Sequence, residues 1–85
     1  MIETIQSLLR SIEEAEAVYY SGMAWNVKYS LMFQQYRAEI KPGLKSLGLS
    51  LDWCDPDTSY KADVQAYWFA LDGLRNELEK IANGR

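Results

Sequence analysis

The sequence of 85 residues contains no histidine, one cysteine and two prolines. Without histidine, a Ser-His-Asp or Cys-His catalytic arrangement is impossible, and zinc lacks its usual nitrogen ligand. Because Cys54 is alone, no disulfide can form within the chain, which favours a cytoplasmic protein whose core is held by packing. Hydrolase and oxidoreductase functions thereby lose their main supports, and we expect a protein that is not an enzyme.

Long apolar runs and phosphate-binding loops are also missing. No stretch approaches the roughly 18 apolar residues of a membrane-spanning helix, and residues 1–4 lack the basic start of a signal peptide. There is no G-x-x-x-x-G-K-[ST] and no G-x-G-x-x-G sequence. Neither membrane association, nor secretion, nor nucleotide binding is predicted.

The most acidic local cluster does not have the spacing of a calcium loop. If Asp55 were the first ligand, Tyr60 would stand where the loop needs glycine, and Ala66 where it needs the final carboxylate. The thiol of Cys54 lies beside Asp55, which disfavours a reactive thiolate, so a packing role is expected for it. We therefore expect no metal, no cofactor and no small-molecule substrate. The cluster comprises Asp52, Asp55, Asp57 and Asp63.

Composition and charge point to a folded, mildly acidic domain. Hydrophobic residues make up 48% of the chain and aromatic residues 13%, which is too apolar for disorder, and residues 1–85 are expected to form a single helical domain. The net charge of −3 disfavours duplex binding. Residues 1–22 have a net charge of −3, from four glutamates and one arginine. Residues 23–47 have a net charge of +3, from four bases and one acid. Residues 48–85 have a net charge of −3, from seven acids and four bases. This pattern suits an up-down-up bundle with a basic central helix, although three solvated faces could also differ by chance.

A first helix is predicted over residues 2–20, from apolar residues at alternating three- and four-residue spacing. Glu16 interrupts this stripe, and Ser21-Gly22 predicts the end of the helix, because glycine commonly follows a helix C-terminus. The alternative is one continuous helix over residues 2–40, since an internal glycine costs only about 1 kcal/mol. The stripe comprises Ile2, Ile5, Leu8, Leu9, Ile12, Ala15, Tyr19 and Met23.

The second predicted helix, Met23 to Lys41, is apolar on two opposite faces. We expect the broad face to be covered from within the chain, and the narrow face to lack an assured cover. The broad face comprises Trp25, Tyr29, Met32, Phe33, Tyr36 and Ile40, and the narrow face Ala24, Val27, Leu31 and Ala38.

Pro42-Gly43 is predicted to end this helix, because the residue before a proline is pushed away from helical geometry. Residues 42–54 are then expected to form a leucine-rich strap between the second and third helices. One helical turn closed by Gly48 would begin it, and Leu49, Leu51 and Trp53 would cross the open end of the bundle.

A long third helix is predicted to start at Asp55-Pro56, where Asp55 can cap free amides and proline suits the first position. Asn83-Gly84 ends it. On its far side Phe69 stands among small residues at four-residue spacing, which would let another backbone approach closely. The core stripe comprises Tyr60, Val64, Tyr67, Trp68, Leu71, Leu74, Leu78 and Ile81, and the small residues are Ala62, Ala66, Ala70 and Gly73.

The sequence thus predicts an all-α, three-helix bundle whose function is protein binding, with or without self-association as a homodimer. The predicted interface residues are Ala24, Val27, Leu31, Ala38, Phe69 and Gly73. In size and charge balance the chain resembles small acidic helical proteins of viruses and mobile elements, anti-CRISPR inhibitors among them. This is a resemblance of type that covers no motif and assigns no residue, and it implies an inhibitor that blocks a larger partner.

The alternative function is a small dimeric DNA-binding regulator that uses the polar face of the second helix. The residue types of that face are those of a DNA-reading helix, but it carries only two charges in an acidic chain. The face comprises Asn26, Ser30, Gln34, Arg37 and Lys41.

Overall fold

A computed structural model describes residues 2–49 and 63–84, and every regular element within them is helical. The elements are α1 (Ile2–Tyr19), α2 (Trp25–Gln35), a π-helical turn (Tyr36–Ile40), α3 (Lys41–Ser46) and α4 (Val64–Asn83). Because α2, the π turn and α3 follow one another without a gap, residues 25–46 form one continuous helical run. The described residues thus contain three long helical rods, namely α1, the run over residues 25–46, and α4. The predicted all-α bundle is confirmed.

The rods run up, down and down. Tyr19, the last residue of α1, contacts Lys28 near the start of α2 and stacks its ring on Trp68 near the start of α4. Since the end of α1 meets the beginnings of both other rods, α2 and α4 point in the same direction. The predicted up-down-up order is therefore wrong, because the net charge of a segment carries no information about the direction in which its helix runs.

A turn separates α1 from α2, as predicted from Ser21-Gly22. The hydroxyl of Ser21 donates a hydrogen bond to the Val18 carbonyl at 2.6 Å, which satisfies one of the last carbonyls of α1. The next helix begins at Trp25. The alternative of one continuous helix over residues 2–40 is excluded.

The helix does not end at Pro42-Gly43, and this prediction is wrong. Lys41 keeps helical angles (φ −59°, ψ −47°), and its N–H donates to the carbonyl of Tyr36, five residues back. A π turn, with its i to i+5 bonds, is wider than an α turn, and here it lies directly before the proline. Pro42 then stands in the first turn of α3, where its missing N–H is tolerated.

Helix α3 closes at Gly48, as predicted for the start of the strap. Gly48 has a φ of +75°, its N–H donates to the Lys45 carbonyl at 3.1 Å, and the Leu49 N–H donates to the Leu44 carbonyl at 2.8 Å. These two bonds form a Schellman motif, in which glycine adopts the left-handed conformation. The rest of the predicted strap, with Leu51 and Trp53, lies outside the described residues.

Replacing Gly48 by alanine should lower the free energy of unfolding by about 1 kcal/mol, because a Cβ atom disfavours the left-handed conformation. Denaturant unfolding followed by circular dichroism measures this change. Gly22→Ala is the matched control: Gly22 lies in a turn without a positive φ, and an added Cβ would meet nothing within 4 Å. Equal losses in the two variants would contradict the role given to Gly48.

Helix α4 begins at Val64 and is capped by Asp63, whose Oδ1 accepts a hydrogen bond from the Ala66 N–H at 2.7 Å. Asp63 is extended (φ −134°, ψ 173°), so the predicted unbroken stripe from Tyr60 into Val64 is wrong. The predicted start at Asp55-Pro56 lies outside the described residues. The predicted end is confirmed, since the Gly84 N–H donates to the Lys80 carbonyl at 2.6 Å.

The core lies between the three rods and follows the predicted stripes closely. Ile2 at the start of α1, Met23 in the turn before α2 and Ile81 near the end of α4 depart from the predicted stripes and are exposed. Glu16, which interrupts the stripe of α1, forms an ion pair with Arg75 of α4 at 3.2 Å. The buried apolar residues are Ile5, Leu8, Ile12, Ala15, Met32, Phe33, Tyr36, Ile40, Leu44, Val64, Tyr67, Trp68, Ala70, Leu71, Leu74 and Leu78.

Candidate functional site

The narrow apolar face of the central helix lies on the outside of the bundle. Val27 and Leu31 are 40% and 41% exposed, and Ala24 and Ala38 are also exposed. Ala38, however, lies farther along, in the π turn rather than in α2. The straight part of this face therefore consists of Ala24, Val27 and Leu31.

The predicted surface on α4 is narrower than expected. Phe69 is 59% exposed, and Gly73 is exposed, with nothing within 4 Å of the position a Cβ would take. Ala70, in contrast, is buried, because it lies at the edge of the core-facing side, one turn before Leu74. Ala62 lies outside the described residues. The small residues thus do not form one outward stripe.

The two predicted surfaces do not combine into one site. Val27 and Leu31 lie on the side of α2 opposite to its buried residues, and Phe69 lies opposite to the buried residues of α4. Because the outward sides of two helices around one core face in different directions, these are separate surfaces.

A third apolar surface was not predicted from the sequence. Trp25 and Tyr29 are 60% and 45% exposed, although the broad face to which they belong was expected to be covered. They lie in the first turns of α2, whereas Phe33 and Tyr36 farther along the same face are buried. Hydrophobic periodicity identifies the apolar face of a helix, but it does not show which residues along that face are buried.

Tyr19 connects this surface to the end of α1. Its ring centroid lies 4.9 Å from that of Tyr20 and 6.0 Å from that of Trp25, both in edge-to-face geometry. Tyr20 is 69% exposed, and Tyr29 lies one helical turn from Trp25. We call Tyr19, Tyr20, Trp25 and Tyr29 the aromatic corner. It is continuous across the turn between α1 and α2.

A groove of about 650 Å³ borders the aromatic corner, between the starts of α2 and α4. Among its described lining residues, Asp63 alone carries a charge, and the positive dipole ends of two helices oppose it. The described lining comprises Trp25, Asn26, Tyr29, Ser30, Asp63, Val64 and Gln65.

Lys28 lies beneath the aromatic corner and is only 7% exposed. Its Nζ donates a hydrogen bond to the Tyr19 carbonyl at 2.6 Å and lies 4.5 Å from the centroid of the Trp25 ring. From the sequence alone, Lys28 is only one of the four bases of residues 23–47. A signal was present, since a lysine in the first turns of a helix is disfavoured by the helix dipole.

Arg75 supports the corner from the other side. Its guanidinium lies 5.5 Å from the centroid of the Trp68 ring, which stacks on Tyr19, and it forms ion pairs with Glu16 and Asp72. The hydrogen bond to Asp72 is the largest of several effects that raise the pKa of Arg75, so the guanidinium stays charged. These contacts join α1 to α4 behind the exposed rings.

Polar groups elsewhere hold the helices together. Ser11 is buried and donates a hydrogen bond to Glu39 at 2.7 Å, while the Gln35 side chain donates to the Ser11 carbonyl and to Glu14, both at 2.9 Å.

Within residues 2–49 and 63–84, no group of three or more cysteine or carboxylate side chains is arranged to hold a metal ion. The carboxylates of Asp52, Asp55 and Asp57 lie outside this part of the chain.

Comparison with family models, curated proteins and solved structures finds no match for this chain. None of the helices in the described part combines the length and hydropathy needed to cross a membrane.

Proposed function

We propose that this chain is a small, non-enzymatic protein-binding module and that the aromatic corner is its binding surface. The observation that carries the proposal is the exposure of Tyr20, Trp25 and Tyr29 on one continuous surface. Tyrosine and tryptophan dominate the energetics of protein interfaces, because they offer a large apolar area together with a polar group at low conformational cost. Soluble proteins rarely leave several such rings together in water.

The face formed by Ala24, Val27 and Leu31 lies on the opposite side of α2 from Trp25 and Tyr29 and is a second, smaller surface. The exposed area of these residues is small compared with the roughly 800 Å² that each partner buries in a standard interface. We therefore assign the main contact to the rings and only a minor, separate contact to Val27 and Leu31. Phe69 and Gly73 face elsewhere and form a separate proposed contact.

The form of this function that we favour is an inhibitor that binds and blocks a larger partner in the cytoplasm. The small size, the acidic balance and the resemblance in type to proteins of viruses and mobile elements support it. Homodimerisation through the same surface is a second form. DNA binding through the polar face of α2 is the competing function, and the same experiment tests it.

Replacing Trp25 by alanine should weaken partner binding about tenfold or more, which corresponds to about 1.4 kcal/mol, because a central interface tryptophan contributes at least this much. Partners are captured with the tagged protein from its native cell or host and identified by mass spectrometry. Calorimetry then gives the Kd of each purified complex, and light scattering gives the self-association constant.

Phe69→Ala is the comparison variant, because it removes an aromatic ring of similar exposed fraction from the separate proposed contact on α4. Binding that is lost with Phe69→Ala but kept with Trp25→Ala would move the site to α4 and contradict the assignment. A monomeric protein without any specific protein partner, but with salt-sensitive duplex binding in a gel-shift assay, would support the DNA-binding regulator instead.

A further inference from the structure

The position of Lys28 carries two energetic costs. It lies in the first turns of α2, where the positive end of the helix dipole disfavours a cation, and its side chain is almost completely buried. Burying an ammonium group costs free energy unless the group is paired. Favourable contacts must offset both costs.

One contact is with the end of α1. The Nζ of Lys28 donates to the carbonyl of Tyr19, the last residue of that helix, and the last turn of α1 contains no basic residue of its own. Free carbonyls at a helix C-terminus carry partial negative charge and need donors. Lys28, a residue of α2, thus provides the positive charge at the C-terminal end of α1.

The other contact is with the Trp25 ring, whose centroid lies 4.5 Å from the same Nζ. This distance is within the range of about 6 Å in which a cation is attracted to an aromatic face. Trp25 is 60% exposed, and its ring also contacts that of Tyr19, at 6.0 Å between centroids. The ammonium group therefore provides a specific restraint on an otherwise exposed side chain.

We propose that Lys28 is the positioning residue of the aromatic corner: it holds the Trp25 ring against the end of α1, so that the surface is formed before a partner arrives. The inference rests on the proposed function where it speaks of a partner, but the positioning itself is a property of the free protein. A side chain that is already ordered loses less conformational entropy on binding, and affinity rises accordingly.

Relaxation of the Trp25 indole N–H in the 15N-labelled protein tests the positioning. Lys28→Met removes the charge but keeps an unbranched side chain, and the order parameter of the Trp25 indole should fall from about 0.85 to below about 0.6. Lys80→Met is the control, because Lys80 is an exposed lysine on α4, paired only loosely with Glu77 at 3.8 Å. An unchanged Trp25 order parameter in Lys28→Met would overturn the proposal.

A double-mutant cycle separates positioning from simple capping of α1. If Lys28 only caps the helix, Lys28→Met and Trp25→Leu change the unfolding equilibrium constant independently. If Lys28 holds Trp25, the two substitutions remove the same interaction. The unfolding equilibrium constant of the double variant should then be about fivefold smaller than expected from multiplying the two single effects. Independent effects would count against positioning.

A measurement on the unmodified protein remains decisive even if Lys28→Met does not fold. The Cε protons of Lys28 should be shifted upfield by the ring current of Trp25, and Trp25→Leu should remove most of this shift, because the Tyr19 ring is farther away, at 5.8 Å from Nζ against 4.5 Å for Trp25. Its absence in the unmodified protein overturns the proposal. Lys28→Arg, which keeps the charge, should preserve the order of Trp25.

The failures of the two proposals can be told apart. If Trp25→Ala keeps the captured partner, the assignment of the binding surface is wrong, and an ordered Trp25 ring still supports the role of Lys28. If Lys28→Met leaves the ring ordered, the positioning role is wrong, and the partner assay on Trp25 is unaffected.

Discussion

Replacing Phe33 by alanine should lower the free energy of unfolding by about 3–5 kcal/mol. Phe33 is 1% exposed, and its ring lies 4.5 Å from that of Tyr29 and 4.7 Å from that of Tyr67, between centroids. It is therefore part of the contact between α2 and α4, and its removal leaves a cavity that rigid neighbouring helices fill only partly. Thermal or denaturant unfolding measures the loss.

The chain offers its own control, because its two phenylalanines are Phe33 and Phe69. Phe69→Ala deletes the same ring from a site that is 59% exposed, and it should change stability by no more than about 0.5 kcal/mol. A domain of this size is expected to have only about 4–13 kcal/mol in total, so Phe33→Ala should remove a large part of it. Equal effects at the two positions would contradict the described α2–α4 packing.

The burial of Phe33 and the exposure of Phe69 were both predictable from the sequence. The 3.6-residue period of a helix assigns each residue to a face, so the apolar stripes identified the inner residues of α1, α2 and α4. The turn after Tyr19 and the closure at Gly48 were predictable as well, since glycine marks both. These features depend on the local sequence alone.

The features that depend on other parts of the chain were not predictable. The proline rule failed at Pro42 because a π turn precedes it, and that turn has no clear signature in the sequence. The exposure of Trp25 depends on how the helices pack around it, which is a property of the folded bundle. The role of Lys28 requires Tyr19 and Trp25 to meet around one turn. The aromatic corner, which we propose as the binding surface, could therefore not be predicted from the sequence, and the predicted interface residues stay a prediction.

Gly43 shows how a residue that was interpreted as a helix stop has a different function in the bundle. A Cβ atom at this position would lie 2.7 Å from Cδ2 and 3.0 Å from Cγ of Leu8. Leu8 is itself 2% exposed and cannot move aside without displacing the core around it. The absence of a side chain at Gly43 is what lets α3 pack closely against α1.

Gly43→Val should therefore lower the free energy of unfolding by about 3 kcal/mol, because it forces extra atoms into a packed core. Gly73→Val is the matched control: Gly73 is also helical, but an added Cβ meets nothing within 4 Å, so stability should change by no more than about 0.5 kcal/mol. Helix propensity acts in the same direction at both positions, so the difference between the variants isolates the contact with Leu8. Equal stability of the two variants would mean that α3 and α1 do not approach as closely as described. A second substitution, Leu8→Ala, should restore part of the stability lost in Gly43→Val, and this recovery would locate the clash at Leu8.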